Sequence, residues 1–364
     1  MPKSKLINSG SQGCIFYPEL KCEKSNANNI TSNIETASKL LLYEDKLYTE
    51  YEINKHVETI PNHEEWTTLW HDKCQSPKYK TLKKISEIDK CIKPKLSKLN
   101  KKRKIDDKTQ FTLLQGTHGG KSVSTYMHKH FKINVYNDKK LFIEKFIALF
   151  KMCQYLFQGV AELYNHGICH HDINVRNILV RDNRFVFIDY GLSFYFNKPK
   201  KIIGRMKSEF KSDRIYESYP YEYLYWPKHS NKEINEEQEE LAEFVPRNQY
   251  TELYKPIHVK LFKRDTDELR FNMLEDKVHG GNNITLKELS KSLDTYSLGM
   301  LILVLILDNA HNLLIDLDHT LELLLTNELK PYIDLLNDMT AFHSKDRVNP
   351  SDSLKRYLNL IKEQ

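Results

Sequence analysis

The sequence predicts an α+β protein, with strands concentrated near the N-terminus and helices dominating the remainder. Two short apolar stretches, residues 36–42 and 110–115, have the length and composition of strands. Residues 140–167 form a long amphipathic pattern with helical spacing. The apolar run from Leu298 to Leu307 is about half of a membrane span in length, which indicates a buried helix.

Composition is that of an ordinary folded protein. The chain has 364 residues, of which 40% are hydrophobic and 29% charged, with a formal net charge of +6. This length suits one large domain or two ordinary ones, and the charge permits acidic partners without demanding nucleic acid. The six cysteines include no C-x-x-C pair, so we expect reduced thiols and no zinc site. Residues 1–5 do not resemble a signal peptide.

A predicted β-hairpin over residues 178–188 is the most informative stretch. Because a hairpin brings its two ends together, Asp172, Asn177 and Asp189 are expected to converge on one edge. One aspartate can accept a hydroxyl proton, while an asparagine and a second aspartate offer the oxygen ligands that Mg²⁺ prefers. The pattern therefore favours phosphoryl transfer. The alternative interpretation is a surface hairpin with solvated carboxylates.

This stretch carries a family resemblance. Residues 170–177 follow the pattern H-x-D-x-x-x-x-N, and residues 189–191 read D-Y-G after the hairpin. The combination resembles the catalytic loop and the D-F-G turn of eukaryotic-type protein kinases. The resemblance implies a bilobal fold, with a small β-rich N-lobe over residues 1–115 and a larger, mostly helical C-lobe over residues 116–364.

On this resemblance, ATP and Mg²⁺ are the cofactors. Asp172 would orient and deprotonate the acceptor hydroxyl, and Asn177 and Asp189 would hold Mg²⁺. Lys39 completes the expected catalytic set by holding the α- and β-phosphates. His170 would be structural, packing beneath the metal-binding turn.

The nucleotide site is expected near the N-terminus. Gly10 and Gly13 allow a hairpin backbone to approach a ligand closely, and free amides there can hold phosphate oxygens; a plain turn is the alternative. In the family, this stretch is the phosphate-binding loop, and Leu114 takes the gatekeeper position before the adenine-binding hinge. The residues expected to bind the nucleotide are Asn8, Gly10, Ser11, Gln12, Gly13, Ile15, Lys39, Glu50, Gln115 and Thr117.

A lysine within a short apolar strand is costly unless it is paired, which makes Lys39 notable. The resemblance pairs it with Glu50, on a predicted helix over residues 44–58. Lys46 is the alternative lysine. For the acidic partner, Glu44 and Glu52 are alternatives.

Two positions in the catalytic loop depart from the family pattern. His171 stands where most regulated kinases carry an arginine that receives an activation-loop phosphate, so phosphate-dependent switching is in question. Asn174 stands where serine/threonine kinases place a lysine, and Arg176 precedes Asn177 as in many tyrosine kinases. The identity of the acceptor hydroxyl therefore stays open.

The C-terminal part contains further matches. Residues 189–222 correspond to the activation segment, which ends in P-Y-E where the family has A-P-E. The predicted helix from Asp294 resembles the buried αF helix, whose first aspartate holds the catalytic-loop backbone. Arg347 stands where the family's arginine pairs with the A-P-E glutamate, so a buried pair of Glu222 and Arg347 is predicted.

Two stretches are interpreted as insertions. The first, at about residues 75–108, includes the basic run from Lys101 to Lys104 and is interpreted as a solvated loop. Nuclear localisation or polyanion binding is its alternative role. The second, at about residues 228–290, is charged and rich in asparagine, and could dock a substrate or a partner, or be a tolerated surface loop.

The resulting prediction is an ATP-dependent protein kinase that phosphorylates serine or threonine in protein substrates, similar to divergent kinases of large DNA viruses. The alternatives are a dual-specificity or tyrosine kinase, a catalytically weak pseudokinase scaffold, and a small-molecule phosphotransferase. We expect a monomer without a membrane or nucleic-acid partner. A cytoplasmic location is expected, with the nucleus or a virion as alternatives.

Overall fold

The computed structural model describes most of the chain. The described residues are 4–10, 13–23, 36–42, 47–85, 87–95, 105–198, 202, 204–205, 217–220, 223, 255–264 and 286–362. The chain divides into two compact units. The first contains Met1–Gly120 with Ile188–Gly191, and the second contains Lys121–Phe187 with Leu192–Gln364.

The first unit is built on an antiparallel sheet. Its strands are β1 (Lys5–Ser9), β2 (Gly13–Tyr17), β3 (Thr36–Leu41), β4 (Trp70–Gln75) and β5 (Thr112–Thr117), in the spatial order β1-β2-β3-β5-β4. The strands predicted at residues 36–42 and 110–115 are thus confirmed, with β5 displaced by two residues. Gly13 allows β2 to approach β3 closely, because a Cβ there would lie 2.3 Å from the carbonyl oxygen of Leu40.

Helices cover the sheet of the first unit. They are α1 (Leu47–Val57), α2 (Tyr79–Leu82) and α3 (Ile88–Ile92), and α3 continues into a 3₁₀ turn at Lys93–Lys95. The interpretation of residues 75–108 as a solvated loop is wrong for α2 and α3, because their apolar side chains enter the core. This core contains Cys14, Phe16, Leu20, Leu40, Leu42, Tyr79, Leu82, Ile88, Cys91, Ile92, Phe111 and Leu113. The basic run Lys101–Lys104 lies outside the described residues.

Disulfide bonds join distant parts of the first unit. Cys14 is bonded to Cys91, and Cys22 to Cys74. The expectation of reduced thiols is therefore wrong for these four residues. The paired cysteines are separated by 77 and 52 residues, so only the folded sheet brings them together, and the lack of a C-x-x-C motif says nothing about such pairs.

The second unit contains the predicted catalytic hairpin. Strands β6 (Lys121–Ser122), β8 (Ile178–Arg181) and β9 (Arg184–Phe187) form one antiparallel sheet, while β7 (Ile168–Cys169) pairs with β10 (Phe194–Tyr195). The hairpin of β8 and β9 confirms the prediction. Its turn residues Asp182 and Asn183 both have positive φ, at 50° and 58°, as a tight two-residue hairpin turn requires.

Helices form most of the described part of the second unit. They are α4 (Val123–His130), α5 (Ile133–Tyr136), α6 (Lys139–Met152), α7 (Gln154–Asn165), α8 (Leu286–Asn312), α9 (Leu317–Leu324), α10 (Lys330–Met339) and α11 (Pro350–Lys362). The single pattern predicted over residues 140–167 is divided between α6 and α7. The break lies at Cys153, whose amide donates to the carbonyl of Phe150 at 3.0 Å. Hydrophobic spacing hardly changes across such a turn, so periodicity does not reveal it.

Helix α8 lies in the core of the second unit. By length and composition it could cross a membrane, yet 94% of its most apolar window is buried within the structure. The run from Leu298 to Leu307 is thus a buried helix, as predicted. The helix begins at Leu286, so it includes the last residues of the stretch interpreted as the second insertion. Of the rest of that stretch, the structure describes residues 255–264, which include a π-helical turn at Ile257–Leu261.

Candidate active site

In the first unit, Lys39 meets two carboxylates. Its ammonium nitrogen lies 2.7 Å from Glu50 Oε1 and 3.2 Å from Asp189 Oδ1. Lys39 is only 5% exposed, and Glu50 is fully buried. The acidic partner on α1 is therefore Glu50 rather than Glu52. The alternatives Lys46 and Glu44 lie outside the described residues.

The two carboxylates keep the Lys39 side chain charged. Burial alone would lower the pKa of Lys39, but the charges of Asp189 and Glu50 outweigh this effect and raise it above its usual value. Burial also raises the pKa of Glu50, and the neighbouring ammonium opposes that shift. Lys39 thus provides a positive charge that is held in place and shielded from water, as is needed to hold phosphate oxygens.

The strands hold Lys39 beside the other predicted nucleotide residues. In the sheet register, Lys39 is directly opposite Ile15 on β2 and Leu114 on β5. Residues directly opposite each other project from the same face of a sheet, so these three side chains share a face. Gln115 projects from the other face, where its side-chain amide donates to the carbonyl of Leu20 at 2.9 Å.

The glycine-rich hairpin is partly described. The amide of Gly10 donates to the carbonyl of Gly13 at 2.9 Å, which closes the turn. A Cβ at Gly10 would meet no heavy atom nearer than 4.0 Å, so packing within the described chain does not require a glycine there. Asn8 is exposed on β1, whereas Ser11 and Gln12 lie outside the described residues. Thr117 is half-buried at the end of β5.

Asp189 and Tyr190 are held within the first unit. Asp189 adopts a φ of 66°, and its Oδ1 also accepts a hydrogen bond from the amide of Gly191 at 3.1 Å. The hydroxyl of Tyr190 donates to Thr67 Oγ1 at 2.9 Å, and both side chains are buried. Sequence reasoning missed Thr67; the only signal was a tyrosine in place of the family's phenylalanine, whose buried hydroxyl needs a partner.

Asn54 is a second residue that sequence reasoning missed. Its amide oxygen accepts a hydrogen bond from the backbone of Trp70 at 2.9 Å, and its amide nitrogen donates to the carbonyl of Glu50 at 2.7 Å. Asn54 therefore fastens α1 to β4 one turn beyond Glu50. The available sequence signal was a polar residue on the predicted apolar face of a helix, because a polar side chain buried there needs a hydrogen-bond partner.

In the second unit, two asparagines orient Asp172. The Asn177 amide donates to the carbonyl and to Oδ2 of Asp172, both at 2.8 Å. The Asn174 amide donates to the same carbonyl and to Oδ1, both at 3.0 Å. Each carboxylate oxygen thus accepts a side-chain hydrogen bond. Asn174, which the sequence marked only as a departure, is a positioning residue for Asp172.

Asp294 holds the backbone of the catalytic loop. Its two carboxylate oxygens accept hydrogen bonds from the amides of His170 and His171, at 2.6 and 2.9 Å. Burial raises the pKa of Asp294 to about 6, while these amides oppose the shift. Asp294 lies on α8, so the aspartate predicted at the start of a helix is instead inside a longer one.

The histidines of the loop are buried and contact aromatic rings. His170 is fully buried, with its ring centroid 5.4 Å from that of Phe187. His171 has a φ of 66°, and its Nε2 forms a hydrogen bond with the hydroxyl of Tyr223. The hydroxyl of Tyr219 donates to the carbonyl of His171 at 3.2 Å. At the position where regulated kinases bind a phosphate, this chain therefore has a histidine between two tyrosines.

The donors predicted for Mg²⁺ suit a hard cation. Because the nitrogen of the Asn177 amide is engaged by Asp172, its oxygen is directed away from that carboxylate. An amide oxygen and the Asp189 carboxylate are the oxygen ligands that Mg²⁺ prefers. Among the described residues, no group of three or more His, Cys, Asp or Glu side chains forms a separate metal site. Asn177 belongs to the second unit and Asp189 to the first.

The predicted pair of Glu222 and Arg347 is not tested, since Glu222 lies outside the described residues. The Arg347 guanidinium donates to the carbonyls of Ala341 and Phe342, at 2.7 and 2.9 Å. It also lies 4.9 Å from the ring centroid of Tyr296 on α8. These contacts anchor the loop before α11.

Comparison with known proteins gives a kinase match over the part of the chain that contains Asp172, Asn177 and Asp189. A family model described as protein tyrosine and serine/threonine kinase matches residues 70–213. The chain is 40% identical over 57 residues to "Probable serine/threonine-protein kinase irlD" of Dictyostelium discoideum, covering 16% of this chain. It is 42% identical over 45 residues to "Probable serine/threonine-protein kinase irlC" of the same organism, covering 12% of this chain. The matches span only 4% and 3% of those relatives, and neither supports the predicted resemblance to viral kinases.

Proposed function

We propose that the chain, which belongs to the eukaryotic-type protein kinase superfamily, transfers the γ-phosphate of ATP to serine or threonine hydroxyls of protein substrates. The observation that carries the proposal is the contact of the buried Lys39 ammonium with both Glu50 and Asp189. A buried ammonium shared by two carboxylates is costly to maintain for stability alone, and it has the charge needed to bind phosphates. The two compact units would be the small and large lobes of the kinase fold.

Each polar group then has a role in phosphoryl transfer. The acceptor hydroxyl oxygen bonds to the γ-phosphorus, the bond to the β–γ bridging oxygen breaks, and ADP leaves. Asp172, oriented by Asn174 and Asn177, accepts the hydroxyl proton. Lys39 holds the α- and β-phosphates. When bound, Mg²⁺ neutralises phosphate charge, with the Asn177 amide oxygen and the Asp189 carboxylate as its proposed ligands.

Serine/threonine specificity rests on the two relatives, both named as probable serine/threonine-protein kinases, and on the predicted activation segment, which lacks a tyrosine-kinase ending. One observation favours the second candidate, a tyrosine or dual-specificity kinase. Asn174 replaces the usual lysine, so this position carries no positive charge, and its amide nitrogen donates to Asp172 instead. The docking role of residues 228–290 and the monomeric state stay predictions.

The test is transfer of labelled γ-phosphate from ATP with Mg²⁺ to a mixed protein substrate, followed by identification of the phosphorylated amino acids. Asp172→Asn should abolish transfer while the variant still binds ATP. Asp182→Asn is the matched control, because Asp182 is exposed on the hairpin turn and should leave transfer unchanged.

Three other outcomes would contradict the proposal. Phosphotyrosine as the main product would favour the tyrosine kinase. ATP binding by the wild type without transfer would favour the pseudokinase scaffold. Transfer to aminoglycosides or choline, but not to proteins, would favour a small-molecule phosphotransferase.

A further inference from the structure

The outer face of the glycine-rich hairpin is covered. Cys14 and Phe16 on β2 are fully buried, whereas Ile15 between them is only half-buried. Because side chains alternate along a strand, Cys14 and Phe16 project away from the face that Ile15 shares with Lys39. Helices α2 and α3, from the first insertion, pack on this outer face. The insertion therefore contacts the phosphate-binding hairpin from behind, opposite the proposed nucleotide.

The contact is covalent at the base of the hairpin turn. Cys14 directly follows Gly13, and its disulfide bond joins it to Cys91 on α3. Both sulfur-bearing side chains are fully buried within the core of the first unit. Motion of β2 near the turn is thus coupled to the position of α3.

Lys95 adds a polar contact at the same place. Its ammonium nitrogen lies 2.9 Å from Ser9 Oγ and 3.4 Å from Cys14 Sγ. Ser9 and Cys14 are directly opposite each other on β1 and β2, on either side of the turn from Gly10 to Gly13. The Lys95 side chain is partly removed from water, and this burial lowers its pKa. Lys95 therefore contacts both strands of the hairpin where they enter the turn.

We propose that Cys14, Cys91 and Lys95 are positioning residues for ATP, which fix strands β1 and β2 of the phosphate-binding hairpin against the insertion and so preorganise the hairpin for phosphate. The inference rests on the proposed function of this hairpin. Preorganisation reduces the entropy lost on binding, so removing these contacts weakens nucleotide binding rather than the chemical step. The hairpin keeps its ladder to β3, so the sheet persists without them.

The test compares two disulfides within the same unit. Cys14→Ala/Cys91→Ala should raise the dissociation constant for Mg·ATP by about threefold to tenfold, measured by isothermal titration calorimetry. The control is Cys22→Ala/Cys74→Ala, which opens a loop of 52 residues instead of 77 and so removes a similar constraint on the unfolded chain. Both double variants should have a lower melting temperature than the wild type, but the control should leave the dissociation constant for Mg·ATP unchanged.

Lys95 provides a second measurement that does not alter a disulfide. Lys95→Met should raise the dissociation constant and the KM for Mg·ATP, with kcat and the KM for the protein substrate unchanged. Lys95→Arg, which can still donate to Ser9, should restore most of the affinity. If Lys95 were merely structural, Lys95→Met would change the melting temperature but not specifically the dissociation constant and KM for Mg·ATP.

The outcomes separate the two proposals. If the wild type binds no Mg·ATP, the proposed function fails. If the wild type binds Mg·ATP and the Cys14/Cys91 and Cys22/Cys74 variants change the dissociation constant equally, or not at all, the positioning role is wrong while the proposed function stands.

Discussion

The side-chain amide of Asn177 donates to both the backbone carbonyl and the carboxylate of Asp172, each at 2.8 Å. One residue thus orients the proposed base with its nitrogen, and its oxygen is available to the proposed metal. Asn174 makes similar contacts with Asp172, but nothing assigns it to the metal. The two asparagines therefore allow the two roles to be separated by experiment.

Asn177→Ala should lower kcat by about 10²-fold or more and raise the Mg²⁺ concentration needed for half-maximal activity. Asn174→Ala is the matched control, because it also removes hydrogen bonds to Asp172. It should lower kcat less and leave the Mg²⁺ dependence unchanged. Steady-state rates across a Mg²⁺ titration would check both effects, and an equal shift in Mg²⁺ dependence would contradict the assignment.

Lys39→Met should destabilise the first unit, since it leaves the buried Glu50 carboxylate without its cation. Breaking a buried ion pair in this way costs about 3–5 kcal/mol. The double variant Lys39→Met/Glu50→Leu should recover most of the free energy of unfolding but none of the phosphotransfer. Denaturant unfolding and ATP binding would be measured in parallel. If the double variant is no more stable than Lys39→Met, the unpaired Glu50 carboxylate is not what destabilises the single variant.

Gly13→Ala and Gly10→Ala should differ sharply. A Cβ at Gly13 would lie 2.3 Å from a backbone oxygen on β3, so the strand must shift, at a cost of about 1–3 kcal/mol. A Cβ at Gly10 meets nothing nearer than 4.0 Å, so that variant should melt near the wild-type temperature. If Gly10→Ala weakens Mg·ATP binding, the glycine serves the ligand. Equal melting temperatures for the two variants would contradict the first expectation.

Tyr223→Phe should reduce kinase activity, and the phosphorylation state of the chain itself should not change. The variant loses the hydrogen bond between the Tyr223 hydroxyl and His171, worth about 1 kcal/mol, and loosens the catalytic loop. Phosphatase treatment of the wild type should leave its activity unchanged, because His171 contacts tyrosine rather than phosphate. Loss of wild-type activity after dephosphorylation would overturn this prediction.

The pH dependence of stability should contain a contribution from Asp294. Its pKa is about 6 in the folded protein and near 3.8 when unfolded, so the folded state binds the proton more tightly. This stabilisation is fully present below about pH 4 and is lost as the pH rises through about 6, by about 1.4 kcal/mol for each unit of difference. The variant Asp294→Asn lacks this titratable carboxyl. The stability difference between wild type and variant should therefore be larger at pH 4 than at pH 7, as measured by urea unfolding.

The catalytic hairpin was predictable because its signals are local. Two short apolar runs on either side of a polar turn define β8 and β9 without knowledge of the rest of the chain. The pairing of Lys39 with Glu50 needed more, because Glu52 on the same predicted helix stayed an alternative until α1 fixed the direction of both side chains. Residue spacing alone identifies the helix but not the side chain that reaches a particular atom.

The first insertion was misinterpreted for a physical reason. Its helices α2 and α3 are four and five residues long, too short for periodicity to distinguish them from a loop. Its many lysines suggested a solvated surface, while its buried residues, such as Tyr79 and Ile88, are scattered between them. Contacts with a sheet whose strands are distant in sequence stabilise such a segment, and no local pattern encodes those contacts.

The burial of α8 limits how the chain can be shortened. This helix has the composition of a membrane span, and α9, α10 and α11 all pack against it. Any fragment that ends before α10 would present this apolar surface to water, where it would associate with other copies or with detergent. Expression fragments of the second unit should therefore extend through α11, and a stop codon introduced upstream of α10 should yield insoluble protein.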